Sequence, residues 1–251
     1  METLQPDPRA ALAFYRALFE WDGIGPGPMP DGGEYFVAQL DGDDVAGVAT
    51  LPASGIAEAA WTTYMCVDDL ETSVRRVVAA GGKIIVAPLD ARPAGRLAIV
   101  EGPAGASFGL WEPCDRSGAQ RINEPRAWAM STLRTRDLPG EQSFYKAVFG
   151  WNAEPFAGGA LFRLPGYVGG LAQQPVPRDV VAVAIHDPSI AADHWSVDFW
   201  IDDLDAAVER VTLNGGAVIA PPFAAAPFRR AVVADPAGAI CTISQLLLDG
   251  T

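Results

Sequence analysis

FYRALFEW, residues 14–21, returns almost unchanged as FYKAVFGW, residues 144–151, so the octapeptide occurs twice, 130 residues apart. Internal similarity decides architecture before any local signal does. Two further pairs follow in the same order. VDDLETSVRRVVAAGGKIIVAP from Val67 matches IDDLDAAVERVTLNGGAVIAPP from Ile201, and GPAGASFGLWEP from Gly102 matches DPAGAICTISQL from Asp235, at offsets of 134 and 133. Three collinear matches at a nearly constant offset mean a duplicated chain. They predict two domains, 1–113 and 126–251, joined by the polar, aperiodic linker CDRSGAQRINEP at 114–125.

Each half divides again. TRDLPGEQSFYKAVFGW places an Asp ahead of apolar residues at helical spacing, and DDLDAAVERVTLNGG does the same before ending in glycines suited to a helix C-terminus. A strand-like run precedes each helix (STLRT, WSVDFWI), and others follow (AVIAPP, RAVVAD, AICTISQL). The unit is one strand, one helix and three strands, and it occurs four times. The fold class is therefore α+β.

Composition narrows the function. A formal charge of −13 argues against nucleic acid or an anionic membrane as partner, since both call for a basic face. No apolar run reaches the length of a membrane span. METLQPDPRA is polar and broken by prolines, unlike a signal peptide. Cys66, Cys114 and Cys241 show no paired spacing and are expected to be reduced, in a cytoplasmic setting. Walker, GxGxxG, GxSxG and HExxH motifs are absent.

The FY..LFGW helix, the VDDL…GG helix and the DP.G turn together resemble the vicinal oxygen chelate (VOC) superfamily. That superfamily includes glyoxalase I, bleomycin-resistance proteins and extradiol dioxygenases, and the chain is most similar to its two-domain actinobacterial members. The resemblance implies four βαβββ modules paired into two tandem glyoxalase-like domains, each enclosing a cavity. Metal-using members place His, Gln or Glu on strands lining that cavity, because a divalent cation needs several nitrogen or oxygen donors at once. The corresponding positions here are Met130, Ser196 and Thr242 in the second half and Thr62 and Gly109 in the first. At the 130-residue offset the counterpart of Met130 falls just ahead of Met1. YVGGLA and VAGVAT, read as the strands closing the first module of each domain, offer no carboxylate or imidazole. The expectation is a protein without bound metal or other cofactor.

Strand alternation then names what shares the inward faces. Tyr64, Cys66 and Trp111 are expected in the first cavity, with Glu2 also facing inward. Trp128, Met130, Ser196, Asp198, Trp200, Thr242 and Phe228 are expected in the second. Such aromatic and small polar linings suit a flat, largely apolar ligand, although each tryptophan suits a core position equally well. Asp198 interrupts the apolar run VDFWI. A carboxylate there is either a ligand-facing acid or base, or the partner of Arg229 or Arg230. His186, in the inserted run VVAVAIHD, is expected on a lid over the cavity mouth, and the Gly/Pro-rich DGIGPGPMPDGGE at 22–34 on a loop shielding the other pocket. Two functions remain open. One is a metal-independent binder or sequesterer of an apolar or aromatic metabolite or antibiotic, monomeric or homodimeric. The other is a VOC enzyme (lyase, isomerase, hydroxylase or dioxygenase-like), working by acid/base chemistry at Asp198 or Glu2 or through an atypical metal site.

Overall fold

A computed structural model describes residues 1–29, 32–52, 58–167, 169 and 177–247. The four modules stand in chain order. The first is β1 (Glu2–Gln5), α1 (Pro8–Phe19), β2 (Asp22–Pro28), β3 (Glu34–Leu40) and β4 (Asp43–Thr50). The second is the interrupted strand β5 (Ala60–Thr62) and β6 (Tyr64–Cys66), then α2 (Leu70–Ala79), β7 (Lys83–Ala91), β8 (Gly95–Glu101) and β9 (Ser107–Pro113). The third is β10 (Trp128–Thr135), α3 (Leu138–Phe149), β11 (Asn152–Phe156), β12 (Gly159–Arg163) and β13 (Val180–His186). The fourth is β14 (His194–Trp200), α4 (Leu204–Leu213), β15 (Ala217–Ala225), β16 (Phe228–Ala234) and β17 (Ile240–Leu246).

In every module the strand before the helix pairs in parallel with the last strand: β1 with β4, β6 with β9, β10 with β13 and β14 with β17. The remaining strands fold back antiparallel. An aspartate caps each helix. Asp7, Asp69, Asp137 and Asp203 accept from first-turn N–H groups that have no partner inside the helix.

Two expectations from the sequence are corrected here. VVAVAIHD is no lid: Val180–His186 is β13, the strand that closes the third module, paired with β12 and β10. An alternating run of valines and alanines, half of it buried, is what a two-sided strand needs. Most of YVGGLA, expected to close that module, lies outside the described residues. Likewise DGIGPGP is not a loop but strand β2, bulged between Ile24 and Gly27 against β3. It pairs on one side only, an edge position where proline costs no ladder hydrogen bond.

In space the chain falls into two compact units. Unit 1 comprises Met1–Trp61, Ala119–Ala129 and Val197–Thr251; unit 2 comprises Thr62–Gly118 and Met130–Ser196. The outer modules, first and fourth, thus make one unit, and the inner modules, second and third, make the other. The repeat boundaries at 113 and 126 mark the duplication and not this grouping. Part of the expected linker is packed into unit 1, where the Asp44 N–H donates to Gln120 and Arg121 pairs with Asp41, Asp43 and Glu124.

The octapeptides are the core. In unit 1, Phe14, Tyr15, Leu18, Phe19 and Trp21 pack with Trp61 and with Val197, Phe199 and Ile201 of β14 and its C-terminal flank. Phe199 lies 5.0 Å from Phe19 and 4.9 Å from Trp61, ring centre to ring centre. Unit 2 repeats the arrangement with Phe144, Tyr145, Val148 and Trp151 against Phe162, Phe108 and Trp195. Even the polar contact repeats: Trp61 Nε1 donates to the Tyr15 hydroxyl and Trp195 Nε1 to the Tyr145 hydroxyl, both at 2.9 Å. Each buried large side chain contributes roughly 1.5–3 kcal/mol. Selection for that core explains the repeated octapeptide.

Candidate functional site

The faces turned away from these cores hold most of the candidate side chains. In unit 1, Val197, Phe199 and Ile243 point into the core, so Asp198, Trp200, Thr242 and Ser244 take the opposite face of β14 and β17. On β16, Ala231 and Val233 are core residues, which turns Arg230 outward beside Ser244, its register partner. The cluster is compact. The Ser244 hydroxyl lies 2.7 Å from each Asp198 carboxylate oxygen, Arg230 Nε is 3.6 Å from Oδ2, and the Arg230 guanidinium sits 5.2 Å over the Phe228 ring. Phe228 in turn meets Trp200 edge to face at 6.1 Å.

Of the two arginines expected as partners, Arg230 is the one that faces Asp198. Arg229 turns the other way and forms a two-pronged pair with Asp205. The Arg230 contact is long, and its Nε is buried without a hydrogen-bond partner. Burial therefore outweighs Arg230 and Ser244, and the Asp198 carboxyl is pushed up to about 6. A carboxyl poised near neutrality can hold or release a proton at working pH.

Glu2, the other expected acid, is buried opposite Gly47 in the register of β1 and β4. A Cβ placed on Gly47 would lie 2.3 Å from the Tyr35 hydroxyl and 3.2 Å from Glu2 Cγ. The missing side chain at 47 is what lets Tyr35 approach Glu2. Sequence alone did not single out Tyr35, because β3 and β4 had to be paired before the two met.

Unit 2 carries a different surface. Tyr64 occupies the repeat position of Asp198, and Gly109 that of Thr242. A Cβ on Gly109 would stand 2.2 Å from Cδ1 of Tyr64, so the ring lies across the strand where a ligand side chain would project. Trp111 covers Gly95 in the same manner and donates its indole N–H to the Arg116 carbonyl. Met130 is half-buried on β10, and the Ser196 hydroxyl donates to the Thr132 carbonyl at 3.2 Å. Cys66 is exposed as a residue, yet the partial desolvation of its thiol, with Asp68 adding to it, raises the thiol and disfavours the nucleophilic thiolate.

Two expected residues, Trp128 and His186, take other roles, and the second histidine, His194, joins no cluster among the described residues. Trp128 packs against the unit 1 core. His186 is exposed at the end of β13. His194 is exposed at the start of β14, its Nδ1 3.0 Å from the Ala192 carbonyl. The VOC fold implies a divalent cation in many members, but these side chains do not fit one. Its strand positions hold Met130, Ser196, Thr242, Thr62 and Gly109, Tyr64 overlies the last of these, and among the described residues no three His, Cys, Asp or Glu side chains converge.

A family model described as "Glyoxalase-like domain" matches residues 130–243. "Putative glyoxylase CFP32" of Mycobacterium tuberculosis is 34% identical over 248 residues, covering 94% of this chain and 90% of that protein. "Anthracycline biosynthesis protein DnrV" of Streptomyces peucetius is 30% identical, covering 96% and 90%. Among solved structures, the 2,3-dioxygenase LapB from Pseudomonas sp. KL28 superposes with a TM-score of 0.62 at 15% identity, covering 97% of this chain and 90% of that one. The Mn(II)-bound glyoxalase from Novosphingobium aromaticivorans gives 0.62 at 15%, covering 98% and 81%. With four βαβββ modules in two units and full-length relatives of this kind, the chain belongs to the glyoxalase-like proteins of the vicinal oxygen chelate superfamily.

Proposed function

We propose that the protein binds a planar aromatic small molecule in unit 1 without the help of a divalent cation, with Asp198 as the group that meets the ligand's polar end. One observation carries this reading. Asp198 is buried on the face away from the core, short of hydrogen-bond donors, and flanked by the Trp200–Phe228 pair and by Arg230. Aromatic rings meeting edge to face offer a wall for stacking, and a half-satisfied carboxyl gives orientation. The relative named for anthracycline biosynthesis supports an aromatic natural product as ligand. Unit 2, with Tyr64 at the repeat position of Asp198 and laid over Gly109, has no carboxylate there and is read as accessory.

A second reading is favoured by the raised Asp198 carboxyl: the same residue acts as general acid or base on the bound molecule. Titration with polycyclic aromatic compounds, followed by tryptophan emission, tests binding. Trp200→Ala is expected to weaken it by about 1 kcal/mol or more, roughly fivefold. Unchanged affinity in a folded Trp200→Ala protein would place the ligand elsewhere. Elemental analysis of purified protein is expected to find no tightly held Zn, Mn, Fe or Ni. About one such ion per chain would remove the metal-free part of the proposal.

A further inference from the structure

The two units treat one buried acid differently. In unit 1 it is Asp235, first residue of the DPAG turn, which accepts from Gln5 Nε2, the Tyr15 hydroxyl and the N–H groups of Ala237 and Ala239. In unit 2 the same turn position is Gly102, and no acid stands there. The acid comes instead from the helix. Glu141 of α3, at the repeat position of Ala11, reaches the turn, with Oε2 and Oε1 3.5 and 3.6 Å from where a Cβ on Gly102 would sit. The carboxyl has changed elements but not its neighbourhood. The hydrogen bonds that hold Asp235 did not move with it: Glu141 is fully buried, and neither oxygen makes a well-formed hydrogen bond, with only a loose approach of the Ala104 N–H.

We infer that Glu141 is a pH-sensitive latch between α3 and the 102–105 turn of unit 2, closed while its carboxyl is protonated and released when it ionises. The surroundings reject a negative charge. Phe144 packs beside it on α3, and the turn presents Gly102, Pro103 and Ala104. The ionisable groups acting on it are Asp137 at the N-cap of α3 and Asp193 ahead of β14, both acidic, while Tyr145 on α3 feels Glu141 in turn. Asp193 is itself paired with Arg136. Burial pushes Glu141 up to about 7; the Ala104 N–H pulls the other way, and Asp193 and Asp137 add smaller upward pushes. The sign follows from linkage. A carboxyl raised in the folded state stabilises fully below its ordinary range near 4.5, and the contribution is lost as pH rises through 7. Unit 1, with its acid fully hydrogen-bonded, has no counterpart.

Hydrogen exchange read by mass spectrometry on the whole protein at pH 6 and pH 8, corrected for the intrinsic pH effect, tests the latch. Protection of peptides covering 138–149 and 102–106 is expected to fall at least fivefold at pH 8, with peptides covering 8–19 and 235–239 unchanged. Glu141→Gln, which keeps the shape and cannot ionise, is expected to abolish the difference. The double variant Glu141→Ala with Gly102→Asp, which moves the acid to the turn as in unit 1, is expected to abolish it too. Equal protection at both pH values in the unaltered protein, or a pH effect that persists in Glu141→Gln, would overturn the inference.

Discussion

Asp198 and Arg230 face one another at 3.6 Å, too far for a good hydrogen bond, and the balance of burial against attraction leaves the carboxyl at about 6. Because the folded protein prefers the neutral form, stability is greatest below the usual carboxylate range near 3.8 and declines as pH rises through 6. Asp198→Asn fixes the neutral form. It frees an arginine whose side chain is 32% exposed, so water can take up the guanidinium. Urea melts are expected to show the variant gaining about 1 kcal/mol over the parent at pH 8, and little at pH 4, with a flatter profile between. Binding of the aromatic ligand should weaken in the same variant. A clear loss of stability at pH 8 with binding intact would make Asp198 a structural partner of Arg230 and retire it from the site.

The helices of the two octapeptides end differently. At the close of α3, Gly150 takes the left-handed conformation without strain, φ 73°. At the close of α1 the same position is Glu20, φ 62°, where a Cβ is unfavourable. Glu20 recovers something through an ion pair with Arg126, but at 73% exposure that contact contributes little. Glu20→Gly is therefore expected to stabilise unit 1 by about 1 kcal/mol, seen as a melting point higher by a few degrees. An unchanged or lower value would show that the Arg126 contact matters more than its exposure implies.

At the scale of the whole chain, the grouping of modules has a direct consequence. The core of unit 1 needs Phe14, Tyr15 and Trp21 from the first half and Phe199, Ala231 and Ile243 from the second, and that of unit 2 likewise draws Phe108 from one half and Phe144 from the other. A fragment of 1–118 and a fragment of 119–251, made separately, are each expected to leave half a core in water and to bind a hydrophobic dye without cooperative melting. Co-expressed, they should combine and recover a sharp transition. A cooperatively folded 119–251 fragment would contradict the grouping. No helix among the described residues is long and apolar enough to cross a membrane.

Much of this was legible in the sequence, because it depends on local periodicity. Aspartate caps, apolar residues at helical spacing, and glycine turns are read by the backbone within a few residues, so four βαβββ modules followed from the repeat, and the superfamily from the resemblance its motifs carry. That Asp198, Trp200, Thr242 and Ser244 share one face of β14 and β17 followed from strand alternation. What the sequence left open is whatever depends on pairing across the chain. DGIGPGP reads as a loop by composition and is a strand because β3 lies beside it to supply hydrogen bonds. VVAVAIHD reads as an insertion and is a strand because β10 and β12 flank it. The choice between Arg229 and Arg230 turns on one step of register, which decides the face of the sheet. The partnership of outer with outer and inner with inner modules leaves no local trace at all. Both cores are built from the same octapeptide, so periodicity cannot say which neighbour completes each one; only the packing of Phe199 on Phe19, and of Phe108 on Tyr145, decides it.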